Sequence, residues 1–186
     1  MAAEPQNLLT VADLDLMPED GNRYEIIGGD VFMSRAPALA HQPVVSRFDR
    51  HIGDYLDQNP VGIVVPGPQV IFDEFNGVIP DVIFISNERR AQVASGEKVT
   101  GAPDLVIEIF SPGPLNERRD REVKRRLYAK FGVKEYWIAD MTNRCIEIYR
   151  LKDGVLEPFV TLRGSEEITT DILPGFRSSV QSIFKT

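Results

Sequence analysis

One cysteine in 186 residues removes two architectures at the outset. Cys145 alone can form neither an internal disulfide nor a multi-cysteine zinc site. On the strand-like RCIEIYR it reads as a small buried apolar residue. Long apolar runs are missing as well. The longest are strand-sized pieces such as VIPDVIFI, far short of the ~20 residues that a membrane helix needs. MAAEPQNLLT lacks the basic start and apolar core of a secretory signal, so a cytoplasmic protein without membrane contact is expected. Internal repeats and low-complexity tracts are absent, which excludes solenoids and composition-driven linkers. Positive charge is in deficit: the net charge is -7, which argues against a general nucleic-acid coat protein.

What is present is the composition of a globular chain, 42% hydrophobic and 26% charged, enough for a sizeable core. A flexible tail over residues 1–9 and one domain over 10–186 are expected. Thr10 and Asp13 have the spacing of a capping box for a short helix through Leu16. RYEIIGGDVFMS predicts a hairpin with strands at 23–27 and 30–34 around Gly28-Gly29. Val44, Val45, Phe48, Ile52, Tyr55 and Leu56 recur at helical spacing over about 41–58. Short strands are predicted at 61–65, 68–72, 78–85 and 104–110, with a helical turn and loop over 87–102. A helix at 116–131, ended by Gly132, leads to three strands, KEYWIAD, RCIEIYRLK and VLEPFVTLR, the last two joined at Asp153-Gly154. A short helix at 177–184 closes the chain. The pattern implies an α/β fold bordering on α+β: a mixed central β-sheet flanked by helices, with an N-terminal β-hairpin.

Two strands carry acids where acids are costly. PDLVIEIFSP places Glu108 among Leu105, Val106, Ile107, Ile109 and Phe110, and IPDVIFIS places Asp81 among comparable residues. An unpaired buried carboxylate shifts its pKa rather than stay ionised. Alternation along a strand groups Asp104, Val106, Glu108 and Phe110 on one face, and Ile79, Asp81, Ile83 and Ile85 on another. A divalent cation between Asp81 and Glu108 would compensate both; Mg²⁺ is commonly held by one or two carboxylates with waters and phosphate oxygens. Asp104, directly after Pro103, reads as a turn or cap.

Charge is uneven along the chain. Residues 116–134 hold eight Lys and Arg against three acids, a local +5 that leaves -12 elsewhere. A solvated helix face accounts for such a run by itself. Val123, Leu127 and Phe131 make an apolar stripe that tips Lys124 and Tyr128 toward the body of the protein. Arg118, Arg121 and Arg125 would then form a separate outward row, suited to DNA phosphates. Lys124 could reach the two carboxylates, or snorkel beside the core or pair with Asp120. Tyr136 and Trp137 read as packing residues, and His51 as surface or core filling.

These residues resemble the Uma2 family within the PD-(D/E)XK restriction-endonuclease-like superfamily. The matching pieces are RYEIIGGDVFMSRAPALAHQ, IPDVIFI, GAPDLVIEIFSP and DREVKRRLYAKFGVKEYWIAD, which cover most of residues 23–140. The resemblance implies a restriction-endonuclease-like core and makes Asp81 and Glu108 the metal-binding acids. The superfamily usually writes its third motif acid-x-Lys on one strand. Here Glu108-Ile109-Phe110 has Phe in that place, and the lysine maps to Lys124 on the next helix. Glu25 matches an early acid, a third ligand or a base, with an exposed strand acid as the plain alternative. His41 and Gln42 match a His-Gln position at a helix start, where a phosphate or water contact is available. The resemblance therefore implies a metal-dependent DNA endonuclease, with Mg²⁺ or Mn²⁺ as cofactor and DNA as partner, and a homodimer is compatible with it. A non-catalytic nucleic-acid- or protein-binding module on the same fold is the rival reading, since fold does not fix chemistry.

Overall fold

The structure, a computed structural model, describes residues 8–35, 39–95, 98–110 and 118–185. Two six-stranded sheets and one two-stranded sheet carry the fold. The expected hairpin is present as β1 (Arg23–Ile27) and β2 (Asp30–Ser34). Gly28 and Gly29 turn it at φ of 63° and 83°, a left-handed backbone that glycine adopts at little cost. A 3₁₀ turn over Val11–Leu16 precedes it, opened by the Thr10–Asp13 capping box. Of the expected tail, residues 1–7 lie outside the described residues, but Leu9 is already fixed. Its N–H donates to the Gly29 carbonyl at 3.0 Å.

α1 (Gln42–Gln58) follows the apolar period foreseen, burying Val44, Val45, Phe48, Ile52 and Leu56. Beyond it run β3 (Gly62–Pro66), β4 (Val70–Asp73), β5 (Asn76–Val78) and β6 (Val82–Ser86). The single strand expected over 78–85 is thus divided, with β5 in one sheet and β6 in the other. Pro80 has no N–H to give a ladder, so the chain changes sheets there, and Asp81 lies in the break instead of within a strand. The segment expected as a turn and loop holds α2 (Asn87–Val93), β7 (Ala94–Ser95) and β8 (Lys98–Thr100).

β9 (Leu105–Phe110) lies between β6, antiparallel, and β10 (Glu135–Asp140), parallel. β11 (Cys145–Lys152) and β12 (Val155–Arg163) complete that side of the second six-stranded sheet, which runs β12-β11-β10-β9-β6-β3. Both faces are covered. Leu105, Ile107 and Ile109 join a core with Phe48, Ile52 and Trp137 under α1. Val106 and Phe110 join the opposite core with Val70, Val78, Leu127 and Tyr128. By alternation Glu108 faces the second of these layers, as the sequence implied.

The basic helix is not one regular cylinder. A π-helical turn over Arg119–Lys124 runs into α3 (Arg125–Lys130), and residues 116–117 of the expected helix lie outside the described residues. Near the end, β13 (Glu167–Thr170) pairs with β14 (Leu173–Ser179). That pairing takes residues 177–179 from the helix expected there and leaves α4 as Val180–Ile183.

Candidate active site

The site assembles where β1, the β5–β6 break, β9 and the π-turn meet. Its principal side chains are buried: Glu25 is 3% exposed, Asp81 7%, Glu108 5%, Asp120 2% and Lys124 2%. The antiparallel register that pairs Val82 with Ile107 would bring residue 80 opposite Ile109. That residue is Pro80, and the ladder has lapsed. The free Ile109 amide donates to Asp81 Oδ2 at 2.8 Å instead. His41 Nε2, at the start of α1, donates to the same oxygen at 3.1 Å, and Arg23 Nη1 approaches Oδ1 at 3.4 Å. Burial pushes the Asp81 carboxyl up, but the hydrogen bond and charge of His41, with the Ile109 amide and Lys124, hold it below its ordinary value.

Lys124 is the hub of the other half. Its Nζ lies 2.9 Å from Glu108 Oε1 and 2.9 Å from Glu25 Oε1. Glu108 Oε1 also accepts from Tyr128 Oη at 2.7 Å, and Glu25 Oε1 from the Ile79 amide at 2.8 Å. Burial pushes Glu108 up to about 8; Lys124 opposes this, while Asp81, Asp120 and Glu25 add to it. Burial alone would lower Lys124, yet the charges of Glu108, Glu25 and Asp120 hold it above its ordinary value. The ammonium therefore stays charged, while burial and the neighbouring acids favour the protonated form of Glu108. Burial and Glu108 together raise the Tyr128 phenol well above its usual range, so it remains a donor.

The structure thus brings together Glu25, His41, Asp81, Glu108 and Lys124. Glu25 is not an exposed strand acid. Gln42 is exposed and stands apart from the bonded set. The outward arginine row is not found as expected. Arg121 turns in, Nη2 lying 3.3 Å from Asp140 and 2.6 Å from Glu147, with its guanidinium over Phe110. Arg125 lies over the Tyr149 ring, and Arg118 is exposed. Acids on β10 and β11 pull the middle member of the row out of line. Asp104 is a cap, accepting from the Ser86 amide at 2.8 Å and from Lys134 at 2.7 Å. Tyr136 and Trp137 are buried core residues.

Tyr128, Asp120 and Arg119 were not foreseen as parts of the site. Tyr128 stands four residues after Lys124, on the same inner edge of the helix, and that spacing was the available signal. Asp120 is held by Arg119 Nε at 2.9 Å, and its carbonyl accepts from Tyr136 Oη at 3.0 Å. Among the described residues, Asp140, Cys145 and Glu147 place three metal-ligating atoms within 4.8 Å of one another. Arg121 already bridges both of those acids, and burial raises the Cys145 thiol, so that group acts as an ion-pair latch.

A family model named Uma2 and described as "Putative restriction endonuclease" matches residues 11–181. No curated protein matches the chain. Among solved structures, that of "a putative nuclease belonging to DUF820" from Anabaena variabilis ATCC 29413 is 17% identical. The match covers 95% of this chain and 97% of that one, with a TM-score of 0.75, a likeness of fold.

Proposed function

Because the chain belongs to the Uma2 family, we propose that it hydrolyses phosphodiester bonds in DNA with the help of a divalent cation. The observation that carries this reading is the buried Lys124 ammonium, bonded at 2.9 Å to acids from two different strands, Glu25 and Glu108. Such an arrangement is poor value for stability alone, since removing charges from water costs several kcal/mol per ion.

The donor set suits a small hard cation. Four buried acids, Glu25, Asp81, Glu108 and Asp120, surround the buried Lys124, and the crowding of carboxylates helps to push Glu108 up to about 8. Asp81 and Glu108 would hold Mg²⁺ or Mn²⁺, which when bound supplies Lewis acidity and lowers the pKa of a water. The protein's own groups do the rest. His41 and the Ile109 amide fix the orientation of Asp81, and Tyr128 fixes that of Glu108. Glu25 anchors Lys124, whose three donors are used twice on carboxylates, leaving one for a phosphate oxygen as negative charge develops there. His41, bonded to Asp81 through Nε2, leaves a buried Nδ1 without a partner, a polar atom placed to contact a water or a phosphate oxygen. Arg118, exposed at the start of the helix, serves the DNA backbone.

Nicking of supercoiled DNA tests the reading. The wild type should cleave with Mg²⁺ or Mn²⁺ and not in chelator, and Glu108→Gln should lose 100-fold or more, on the order seen for removal of one catalytic contact. No cleavage by the wild type with either ion, or equal cleavage by Glu108→Gln, would overturn it.

A further inference from the structure

Beyond the acid–lysine pocket, three cations gather around a groove of about 290 Å³: Arg47 on α1, Arg144 in the β10–β11 turn and Lys185 after α4. Its floor is apolar, formed by Pro43, Met141 and Phe184. Arg47 Nη1 donates to the Ile183 carbonyl at 3.1 Å, and Arg144 Nη2 donates to the Phe184 carbonyl. Main-chain carbonyls thus draw both guanidiniums to the chain end without cancelling their charge. Among the described residues, none of the three cations has a carboxylate in ion-pair reach, whereas Arg121, Arg150 and Arg177 each do. In a chain of net charge -7, that makes the groove a local positive island. Arg144 also occupies a left-handed backbone at φ 48°, where Gly or Asn would sit with less strain.

The groove lies on the α1 side of the sheet that holds β9, with Val44, Met141 and Phe184 packed in that layer. Its link to the acids is the start of α1. Ala40 lines the groove, and the next residue, His41, bonds Asp81. Met141 directly follows Asp140, which pairs across the sheet with Phe110, two residues beyond Glu108. We propose that the groove holds one unpaired nucleotide of the substrate strand beside the cleaved phosphate. Its phosphates lie against Arg47, Arg144 and Lys185, and its base rests on Pro43, Met141 and Phe184. Phosphates supply the charge these cations lack, and an unstacked base supplies an apolar face that a paired base keeps inside the duplex. The substrate class that follows is DNA with a single-stranded stretch at the cleavage position. This inference rests on the phosphodiesterase reading for the identity of its ligand.

Fluorescence anisotropy in chelator, with a labelled single-stranded oligonucleotide and a blunt duplex of equal length, tests it over a range of salt. Each phosphate contact on a single strand contributes about 0.7 to the slope of log affinity against log salt. Lys185→Gln, which removes an exposed side chain, should lower that slope by about 0.7, and Lys185→Gln with Arg144→Gln by about 1.4. Because Arg144 also ties down the chain end, the single variant keeps the test free of folding effects. Binding of the blunt duplex should change less. Unchanged slopes, equal losses on both ligands, or no binding of the single strand by the wild type would each overturn the groove. If the wild type cleaves DNA while the slopes stay unchanged, the groove falls and the nuclease reading stands. If the slopes fall as expected but nothing is cleaved, the groove stands and the nuclease reading falls.

Discussion

In metal-free protein, Glu108→Gln should stabilise the fold, and by an amount that grows with pH. The wild-type carboxyl is raised from an ordinary 4.5 to about 8, so the folded state binds a proton more tightly than the unfolded chain. Stability from this group is therefore complete at low pH and is lost as pH rises from about 4.5 to about 8. The amide keeps an acceptor for Lys124 and Tyr128 and has no proton to lose. Each pH unit in that window corresponds to about 1.4 kcal/mol. The variant should then exceed the wild type by less than ~1 kcal/mol at pH 5, about 3 kcal/mol at pH 7 and about 5 kcal/mol at pH 9. Urea denaturation in chelator at these three values measures the difference, and contributions from groups common to both proteins largely cancel. A difference that stays flat would refute the reasoning. So would a wild type more stable than the variant at pH 9, because an ionised Glu108–Lys124 pair would then be net stabilising.

Other outcomes follow from individual contacts. Lys124→Met should retain Mn²⁺ binding in calorimetry but lose DNA cleavage by roughly 100-fold or more; Lys124→Arg should not restore it, since a planar fork replaces a compact ammonium. Full cleavage by Lys124→Met would remove the lysine from the mechanism. Tyr128→Phe deletes one of the two donors to Glu108 Oε1 and should cost about 1 kcal/mol in chemical denaturation. In Gly62→Ala the added methyl would overlap the Ile85 carbonyl and lie 2.6 Å from the Phe84 ring. A loss of about 1–3 kcal/mol is expected from such overpacking, read as a lower urea midpoint; no loss would mean that β3 can move away from β6.

Much of this was legible in the sequence, for local reasons. The hairpin needed only strand alternation around two glycines, and α1 only its apolar period. The acids of β9 and of the β5–β6 break stood out because their neighbours are apolar. What sequence could not supply is which groups meet across the fold. Asp81 was placed within a strand, because Pro80 interrupts a run that is otherwise uniformly β-forming. The bond from His41 to Asp81 spans 40 positions, and that from Ile79 to Glu25 spans 54; no local pattern encodes either. β7, β8 and β13 are too short to show a period, and pairing alone defines them. Arg121 looked like its neighbours along the helix until Asp140 and Glu147 of distant strands claimed it.

The π-turn over Arg119–Lys124 gives the helix two independently set phases. Upstream, Asp120 is tied by its carbonyl to Tyr136 and Arg121 to Asp140 and Glu147. Downstream, Lys124 and Tyr128 must face Glu108. The wider turn is the slack that lets both alignments hold along one continuous backbone. Glu122 is exposed, and replacing its side chain should matter little. Deleting the residue is another matter. The segment would tighten toward an ordinary α-helix, in which one residue is about 100° of rotation, so either the arginine latch or the lysine must swing off its partners. In this stretch the count of residues constrains the protein more than their identity does, and related chains that vary freely at this position should still keep its length.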